Sequence, residues 1–322
     1  MKVILQRDLF IRSEKEFLTA GKKYSIEFLL ADVLDEKTML KYHEQWANCF
    51  VLGAETYSME FYQSIRPGSA VIRYGVGYNA VPVKLCRQRG IKVAYTPGTL
   101  TDSVAEHTFA MLLGMNRNIP QLHQSMKEKR WQGLTGMELK GKTIAILGFG
   151  QIGKAVAKIA KYGFGMRVHA YDILPLPDDH VADFFSNNYA EVVKEADIVT
   201  IHIAVTPKTA GFFNAERIAL CKEGVQFVNT SRGNLVDEKA LFDALLSGKI
   251  EKAAMDVFVR EPYIPTENAD FRELDNVLLT PHCGSNTKEA SERMAMVVIQ
   301  NIIAYAKGEE MILIPELKQT TQ

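Results

Sequence analysis

Short hydrophobic runs alternate along this chain with longer segments in which apolar residues recur every three or four positions. The short runs predict strands, and the longer segments predict amphipathic helices. In the first 98 residues the predicted strands are Val3–Leu5, Ile26–Leu30, Cys49–Leu52, Ala70–Arg73 and Lys92–Tyr95. The helices predicted around them are Ser13–Ala20, Glu36–Trp46, Met59–Ile65 and Val81–Arg89. This alternation predicts a parallel sheet with helices on both of its faces.

The same rhythm returns after residue 142 and continues almost to the end of the chain. Six further strands are predicted at Thr143–Leu147, Arg167–Tyr171, Ile198–Ile203, Val225–Asn229, Ala253–Val257 and Val277–Thr280. A last helix, Thr287–Ala306, carries apolar residues at helical spacing, and we expect it to return to the first sheet. The chain therefore predicts two α/β domains, one formed by 1–98 with 288–322 and the other by 99–287.

The connection between the two predicted sheets contains a helix and a polar segment. Ser103 and Glu106 have the Ser-x-x-Glu spacing of a capping box, which predicts a helix over Ser103–Arg117. The helix is apolar on most faces, which indicates a buried position or a subunit contact. His107 is expected at its surface, and the polar segment 118–142 is expected to be an arm over a partner subunit.

A glycine-rich turn follows the strand that begins at Thr143. Gly148, Gly150 and Gly153 have the spacing G-x-G-x-x-G between a buried strand and an amphipathic helix, Gln151–Tyr162. The first glycine allows a tight turn, the second lets a pyrophosphate approach the backbone, and the third lets the helix pack closely on the strand. The start of the helix offers free amides to the phosphates.

Asp172 ends the next strand, about 20 residues beyond the glycines, where a carboxylate can accept hydrogen bonds from the adenosine ribose. Ile173, Leu174 and Pro175 follow it, with no cation for a 2′-phosphate. The order of strand, glycines, helix, strand and acid predicts a Rossmann domain that binds NAD in preference to NADP.

Composition excludes several other classes of function. The 322 residues are 47% hydrophobic and 24% charged, and the formal net charge is zero. Nothing in this balance favours binding to nucleic acid or to an anionic membrane, and no apolar run is long enough to span a bilayer. The four cysteines are scattered without metal-type pairing, so we expect no metal and a cytoplasmic location.

Three polar clusters follow predicted strands of the second domain, and each contains a candidate for substrate binding or catalysis. Arg232 can hold a carboxylate through its planar fork. His282 can donate or accept a proton, and Glu261 can pair with its imidazole and fix the tautomer. Because ligands of open α/β sheets bind beyond the carboxyl ends of the strands, we expect these residues near the nucleotide. Such a set suits hydride transfer to a 2-oxo acid.

The chain resembles the D-specific 2-hydroxyacid dehydrogenases, a family that includes phosphoglycerate, glyoxylate/hydroxypyruvate and D-lactate dehydrogenases. The resemblance runs from Ala70 to Thr287, and the matching segments are IRYGVGYN, SVAEHTFAMLL, ELKGKTIAILGFGQIG, IHIAVTPKTAGFFN, VNTSRGNLVDEKAL, AMDVFVREP and LLTPHCGSNT. It implies a Rossmann NAD-binding domain inserted in a flavodoxin-like substrate domain, and a homodimer built on the nucleotide domains.

The family's functional residues can be carried over position by position. The resemblance implies that Arg232 binds the substrate, that His282 is the acid/base, and that Glu261 is its partner. The backbone amides of Val76 and Gly77 would hold the substrate carboxylate. The implied cofactor-binding residues are Gly148, Gly150, Gln151, Ile152, Gly153, Asp172, Thr209, Thr230, Ser231, Asp256 and His282.

Two other functions remain open from the sequence. One is an NAD(H)-sensing binding protein, like the transcriptional corepressors related to this family. The other is a formate- or phosphite-type dehydrogenase on the same fold. A separate hypothesis concerns Cys283, which adjoins His282: if its thiolate is accessible, oxidation or alkylation there would block the site.

Overall fold

The computed structural model describes residues 1–175, 181–266 and 269–318, so the last four residues of the predicted segment 288–322 lie outside it. The chain forms two compact units. One contains Met1–Leu100 and Asn286–Gln322, and the other contains Thr101–Ser285, which interrupts the first in the sequence.

The first unit contains a five-stranded parallel sheet. Its strands are β1 Lys2–Gln6, β2 Glu27–Ala31, β3 Cys49–Leu52, β4 Ala70–Arg73 and β5 Lys92–Ala94. Their order is β2-β1-β3-β4-β5, which is the flavodoxin-like order. β3 and β4 are fully buried because helices cover both faces, and this explains why their sequences are continuous apolar runs.

The second unit contains a seven-stranded parallel sheet. Its strands are β6 Thr143–Leu147, β7 Arg167–Tyr171, β8 Phe184–Ser186, β9 Ile198–Ile201, β10 Val225–Asn229, β11 Ile250–Met255 and β12 Val277–Leu279. Their order is β12-β11-β10-β9-β6-β7-β8. β6 pairs with both β7 and β9, so the strand order reverses there, and the crevice at such a reversal is where doubly wound sheets bind nucleotides.

Helices connect these strands and cover the sheets. They are α1 Arg7–Arg12, α2 Glu14–Tyr24, α3 Glu36–Glu44, α4 Met59–Ser64, α5 Val83–Gln88, α6 Thr101–Asn116, α7 Ile119–Lys127, α8 Gln151–Lys158, α9 Tyr189–Val193, α10 Ala215–Ala219, α11 Glu238–Ser247 and α12 Lys288–Lys307. The end of α8 continues as a single π-helical turn, Ile159–Gly163. α12 packs on α2 and β4 of the first unit. Among the helices that the structure describes, none combines the length and apolar character needed to cross a bilayer.

The predicted fold class, two doubly wound parallel sheets, is confirmed, but several local features differ from the prediction. The nucleotide sheet has seven strands rather than six, because the three-residue edge strand β8 is too short to show a hydrophobic pattern. α6 begins at Thr101, so Ser103 is a buried residue inside the helix and does not form a capping box with Glu106. Two helices, α1 and α7, were not predicted, since α1 buries only Leu9 and α7 buries only Ser125.

Candidate active site

The glycine turn after β6 has the close contacts that its sequence predicts. Gly148 adopts φ 94°, in the left-handed region, and a Cβ there would lie 2.7 Å from the backbone of His202. A Cβ on Gly153 would overlap the carbonyl oxygen of Gly148. Both glycines are therefore required for the packing of strand, turn and helix.

Gly150 differs from the other two glycines because it faces open space. A Cβ on Gly150 would have no atom of the described chain within 4 Å. The N–H groups of Gln151 and Ile152, in the first turn of α8, donate no hydrogen bond to any described residue. Free amides and the positive end of the helix dipole beside an open surface form a site for an anion such as a pyrophosphate.

Asp172 lies beyond β7 and is held by the backbone around the glycine turn. Its carboxylate accepts hydrogen bonds from the N–H of Phe149, at 2.7 Å, and of Leu174, at 3.0 Å. The first contact ties Asp172 to the glycine turn. A carboxylate has about four acceptor positions, so two remain for ribose hydroxyls.

Glu261 and His282 form a hydrogen-bonded pair in the second unit. Glu261 Oε2 lies 2.6 Å from His282 Nδ1, and both side chains are about one-third exposed. Burial alone would raise the pKa of Glu261, but the hydrogen bond and charge of His282, the N–H of Phe258 and the charge of Arg232 together hold it below its ordinary value. The ionised carboxylate keeps a proton on Nδ1, which leaves Nε2 for proton transfer.

The turn that carries His282 is fixed by Asp256. His282 adopts φ 50°, and its N–H donates to the carbonyl oxygen of Asp256 at 2.7 Å. The Asp256 carboxylate accepts from the N–H groups of Cys283 and Gly284, each at 2.9 Å, and from the Thr280 hydroxyl at 2.6 Å. Left-handed backbone at a residue other than glycine is uncommon, and these four hydrogen bonds hold it in place.

Arg232 follows β10 on the same edge of the sheet. Its Nη1 donates to the carbonyl oxygen of Ser231 at 2.6 Å, and the carbonyl oxygen of Arg232 accepts from Asn229 at 3.0 Å. Burial lowers the pKa of Arg232, and the negative charge of Glu261 opposes that change. Gly233 allows this turn to approach the backbone of Phe258 so closely that a Cβ would overlap it. The sequence thereby brings the Arg232 turn against the segment that leads to Glu261.

Two threonines named from the sequence make local contacts in the second unit. Thr209 Oγ1 donates to the carbonyl oxygen of Ala204 and accepts from the N–H of Thr206, each at 2.7 Å, which closes the turn after β9. The buried Thr230 pairs with the Thr108 hydroxyl at 2.8 Å, and this contact joins the end of β10 to α6.

The sequence missed His107, which was expected to be a surface residue. Its Nε2 lies 3.3 Å from Asp256 Oδ1 and 3.3 Å from Thr280 Oγ1, and the side chain is 19% exposed. The expectation was wrong because the side chain packs against the ends of β11 and β12, a contact that helical spacing alone does not reveal. His107 supplies Asp256 with a partner on α6.

The loop after β4 contains Val76 and Gly77, whose amides are expected from the sequence to bind a carboxylate. Gly75 adopts φ 140°, and its N–H donates to Thr96 Oγ1 at 3.0 Å. The N–H groups of Val76 and Gly77, which come next, donate no hydrogen bond to any residue that the structure describes. Both residues are partly exposed, so their amides are available to an anion.

Comparisons with known proteins identify related sequences. Residues 109–284 match the model of the D-isomer specific 2-hydroxyacid dehydrogenase, NAD binding domain. A glyoxylate reductase of Thermococcus litoralis is 39% identical over 251 residues, which cover 74% of each chain. A D-3-phosphoglycerate dehydrogenase of Methanocaldococcus jannaschii is 41% identical over 243 residues, which cover 74% of this chain but 45% of that protein.

A solved structure provides the same comparison in three dimensions. The D-lactate dehydrogenase of Aquifex aeolicus, complexed with NAD and lactic acid, superposes with a TM-score of 0.81 at 26% identity. The superposition covers 95% of this chain and 96% of that one. The matches confirm the predicted family, the insertion of one α/β domain in the other, and an oxidoreductase that uses NAD(P). The chain belongs to the D-isomer specific 2-hydroxyacid dehydrogenase family.

Proposed function

We propose that this protein reversibly reduces a small 2-oxo acid to the D-2-hydroxy acid, with NADH as the hydride donor. The observation that carries the proposal is the Glu261–His282 pair, which lies at the same sheet edge as Arg232 and the open Gly150 turn. This set contains a proton donor, an anion-binding cation and a phosphate-binding turn, as reduction of a charged carbonyl compound requires.

His282 and Glu261 have the catalytic roles in this proposal. NADH supplies the hydride that adds to C2 of the substrate. His282 Nε2 transfers a proton to the carbonyl oxygen in the same step, and the Nδ1–H bond to Glu261 stabilises the imidazolium. The reverse reaction uses the same residues, with His282 accepting the hydroxyl proton.

Arg232 binds the substrate carboxylate and polarises the carbonyl. Its guanidinium presents a rigid fork of donors, and its partly buried position strengthens each hydrogen bond that it makes. The free amides of Val76 and Gly77, in the first unit, are proposed to bind the carboxylate as well.

The cofactor is held by the second unit. The amides of Gln151 and Ile152 bind the pyrophosphate above Gly150, and Asp172 binds the adenosine ribose. A 2′-phosphate would meet the Asp172 carboxylate, so we propose NAD in preference to NADP. Thr209, Thr230 and Ser231 are proposed to line the path to the nicotinamide.

Asp256 is proposed to accept a hydrogen bond from the nicotinamide carboxamide. Within the described residues its Oδ2 accepts only the N–H of Gly284, so one acceptor position is free. The side chain is 1% exposed in this structure, so neighbouring residues would have to move for the carboxamide to reach Oδ2.

We propose an unphosphorylated substrate of the glyoxylate, hydroxypyruvate or pyruvate type. The loop after β3, 53–58, contains Glu55 and no cation. Glu55 accepts a hydrogen bond from Gln6 at 3.1 Å, and the other end of the Gln6 amide accepts the N–H of Gly53. We propose that this loop borders the substrate, where the negative charge of Glu55 would repel a phosphate group.

The protein is proposed to be a cytoplasmic homodimer formed through the nucleotide-binding units. Ile119 and Met126, on α7, are each 55% exposed, and Trp131 is 92% exposed. Large apolar side chains so close together in one surface segment are typical of a protein contact. Sedimentation of the wild-type protein tests the dimer, with a monomer as the contradicting result. Fractionation of the source cells tests the compartment.

A substrate panel tests the proposed reaction. Glyoxylate, hydroxypyruvate, pyruvate, bulkier 2-oxo acids and 3-phosphohydroxypyruvate are each offered with NADH and with NADPH. We expect turnover of the small unphosphorylated acids, with higher kcat/KM for NADH than for NADPH. NADH binding without turnover of any acid would contradict the proposal and would favour a sensing function.

A further inference from the structure

Three side chains of types that bind metals converge beside the turn of His282. His107 Nε2 comes from α6, Asp256 Oδ1 from the end of β11, and Cys283 Sγ from the loop after β12. Neither His107 nor Cys283 has a role in the proposed hydride transfer.

The distances between these three atoms suit one small cation. They are 3.3 Å from His107 to Asp256, 3.6 Å from Cys283 to Asp256 and 3.9 Å from Cys283 to His107. The nearest point that is equidistant from all three atoms lies in their plane, about 2.1 Å from each, which is close to the Zn–N and Zn–O bond lengths and slightly below the Zn–S length. A zinc ion at this point would lie within bonding distance of all three atoms, and it would compete with the hydrogen bonds that Asp256 Oδ1 accepts in this structure.

The groups around this point also suit a cation. The Asp256 side chain is 1% exposed, and its carboxylate accepts hydrogen bonds from the Thr280 hydroxyl and from the N–H groups of Cys283 and Gly284. A thiol binds zinc as the thiolate, so Cys283 would give up its proton when the ion binds.

The surroundings would orient the carboxylate and admit the ion. The N–H of Gly284 donates to Asp256 Oδ2, the oxygen that does not face the proposed ion, and can hold the carboxylate in place while Oδ1 binds zinc. The side chain of His107 is 19% exposed and Cys283 is partly exposed, so water can reach the site and complete a fourth position.

We propose that His107, Asp256 and Cys283 form a Zn²⁺-binding site, with one water as the fourth ligand, and that zinc bound there reversibly inhibits the enzyme. The inhibition rests on the proposed function. Zinc at Oδ1 competes with the hydrogen bonds from Thr280 and from the N–H of Cys283, which hold the turn that aims His282. Zinc binding releases the thiol proton of Cys283.

Cobalt absorption tests the site without relying on activity. Co²⁺ added to the purified protein should give a thiolate-to-metal charge-transfer band that Zn²⁺ displaces. Cys283→Ser should abolish the band, and His107→Gln should weaken Co²⁺ binding by at least about 100-fold, since even outer-shell changes weaken metal binding 10- to 100-fold. Cys221→Ser and His123→Gln, which change the same residue types elsewhere in the unit, should leave the band unchanged.

Zinc should also raise the thermal unfolding midpoint of the wild-type protein and not that of Cys283→Ser. No charge-transfer band in the wild-type protein, or a band that survives Cys283→Ser, would overturn the site. Zinc that binds without slowing NADH oxidation would overturn the inhibition alone. Absence of turnover with every 2-oxo acid would refute the proposed function, and the cobalt titration would still decide the metal site.

Discussion

The variant Gly150→Ala should affect nucleotide binding without affecting folding. The backbone of Gly150 has φ −75° and ψ −160°, which alanine also adopts, and its added Cβ would meet no atom of the described chain within 4 Å. The methyl group instead would occupy the space through which we propose that the pyrophosphate approaches the amides of α8. Gly150→Ala should therefore weaken NADH binding and leave the fold intact.

The size of the effect follows from the hydrogen bonds at risk. Losing one charge-assisted hydrogen bond between an amide and a phosphate costs about 1.5–3 kcal/mol, which corresponds to about 10- to 150-fold in affinity. Alanine is a poorer N-cap than glycine, but it lowers the entropy of the unfolded chain, and the two effects are each below about 1 kcal/mol. The free energy of unfolding should change by less than about 1 kcal/mol.

Isothermal titration calorimetry measures the affinity for NADH, and urea unfolding measures the free energy of unfolding. Gly133→Ala, which also places a methyl group in open space, is the matched control and should bind NADH normally. Gly153→Ala should instead destabilise the unit, because its Cβ would overlap the Gly148 carbonyl. Unchanged NADH affinity in Gly150→Ala would refute the location of the pyrophosphate.

Three further predictions concern the charged residues. Arg232→Ala should lower kcat/KM by at least about 100-fold, because the substrate loses charged hydrogen bonds. Arg260→Ala, which changes an exposed arginine, should have little effect. Equally mild losses of initial rate in both variants would contradict the proposed role of Arg232. Asp172→Ala should weaken NADH binding and raise the ratio of NADPH to NADH kcat/KM, and an unchanged ratio would contradict the ribose contact. Because the pKa of Glu261 in the folded protein lies below its ordinary value of 4.5, the stabilisation that this carboxylate provides is complete above about pH 4.5 and is lost as the pH falls through the folded-state pKa. Urea unfolding from pH 7 to pH 3 should therefore show a smaller acid loss in Glu261→Gln than in the wild-type protein, and parallel curves would exclude that contribution.

The features that the sequence predicted are those encoded locally. The glycine turn needs only neighbouring residues, so Gly148 and Gly153 could be assigned from their spacing. The sheet-edge rule then placed Arg232 and His282 at the ends of strands, because in a parallel sheet all carboxyl ends share one edge. Continuous apolar runs located most strands within one or two residues.

The features that the sequence missed depend on tertiary contacts. His107 follows the helical pattern of α6, and its contact with Asp256 exists only because α6 packs beside β11 and β12. Ser103 has a capping-box spacing, but α6 begins two residues earlier, so the hydroxyl is inside the helix. β8 has three residues and depends on pairing with β7, which no local pattern reveals.

The stereochemistry of the product tests the central claim most directly. The wild-type protein is incubated with pyruvate and NADH. Chiral chromatography separates D-lactate from L-lactate, and the amount of each is compared with the amount of NADH consumed. We predict one D-lactate for each NADH oxidised, and none with His282→Gln. L-lactate, a racemate, or D-lactate formation that persists in His282→Gln would contradict the assignment of His282 as the proton donor to one face of a bound 2-oxo acid.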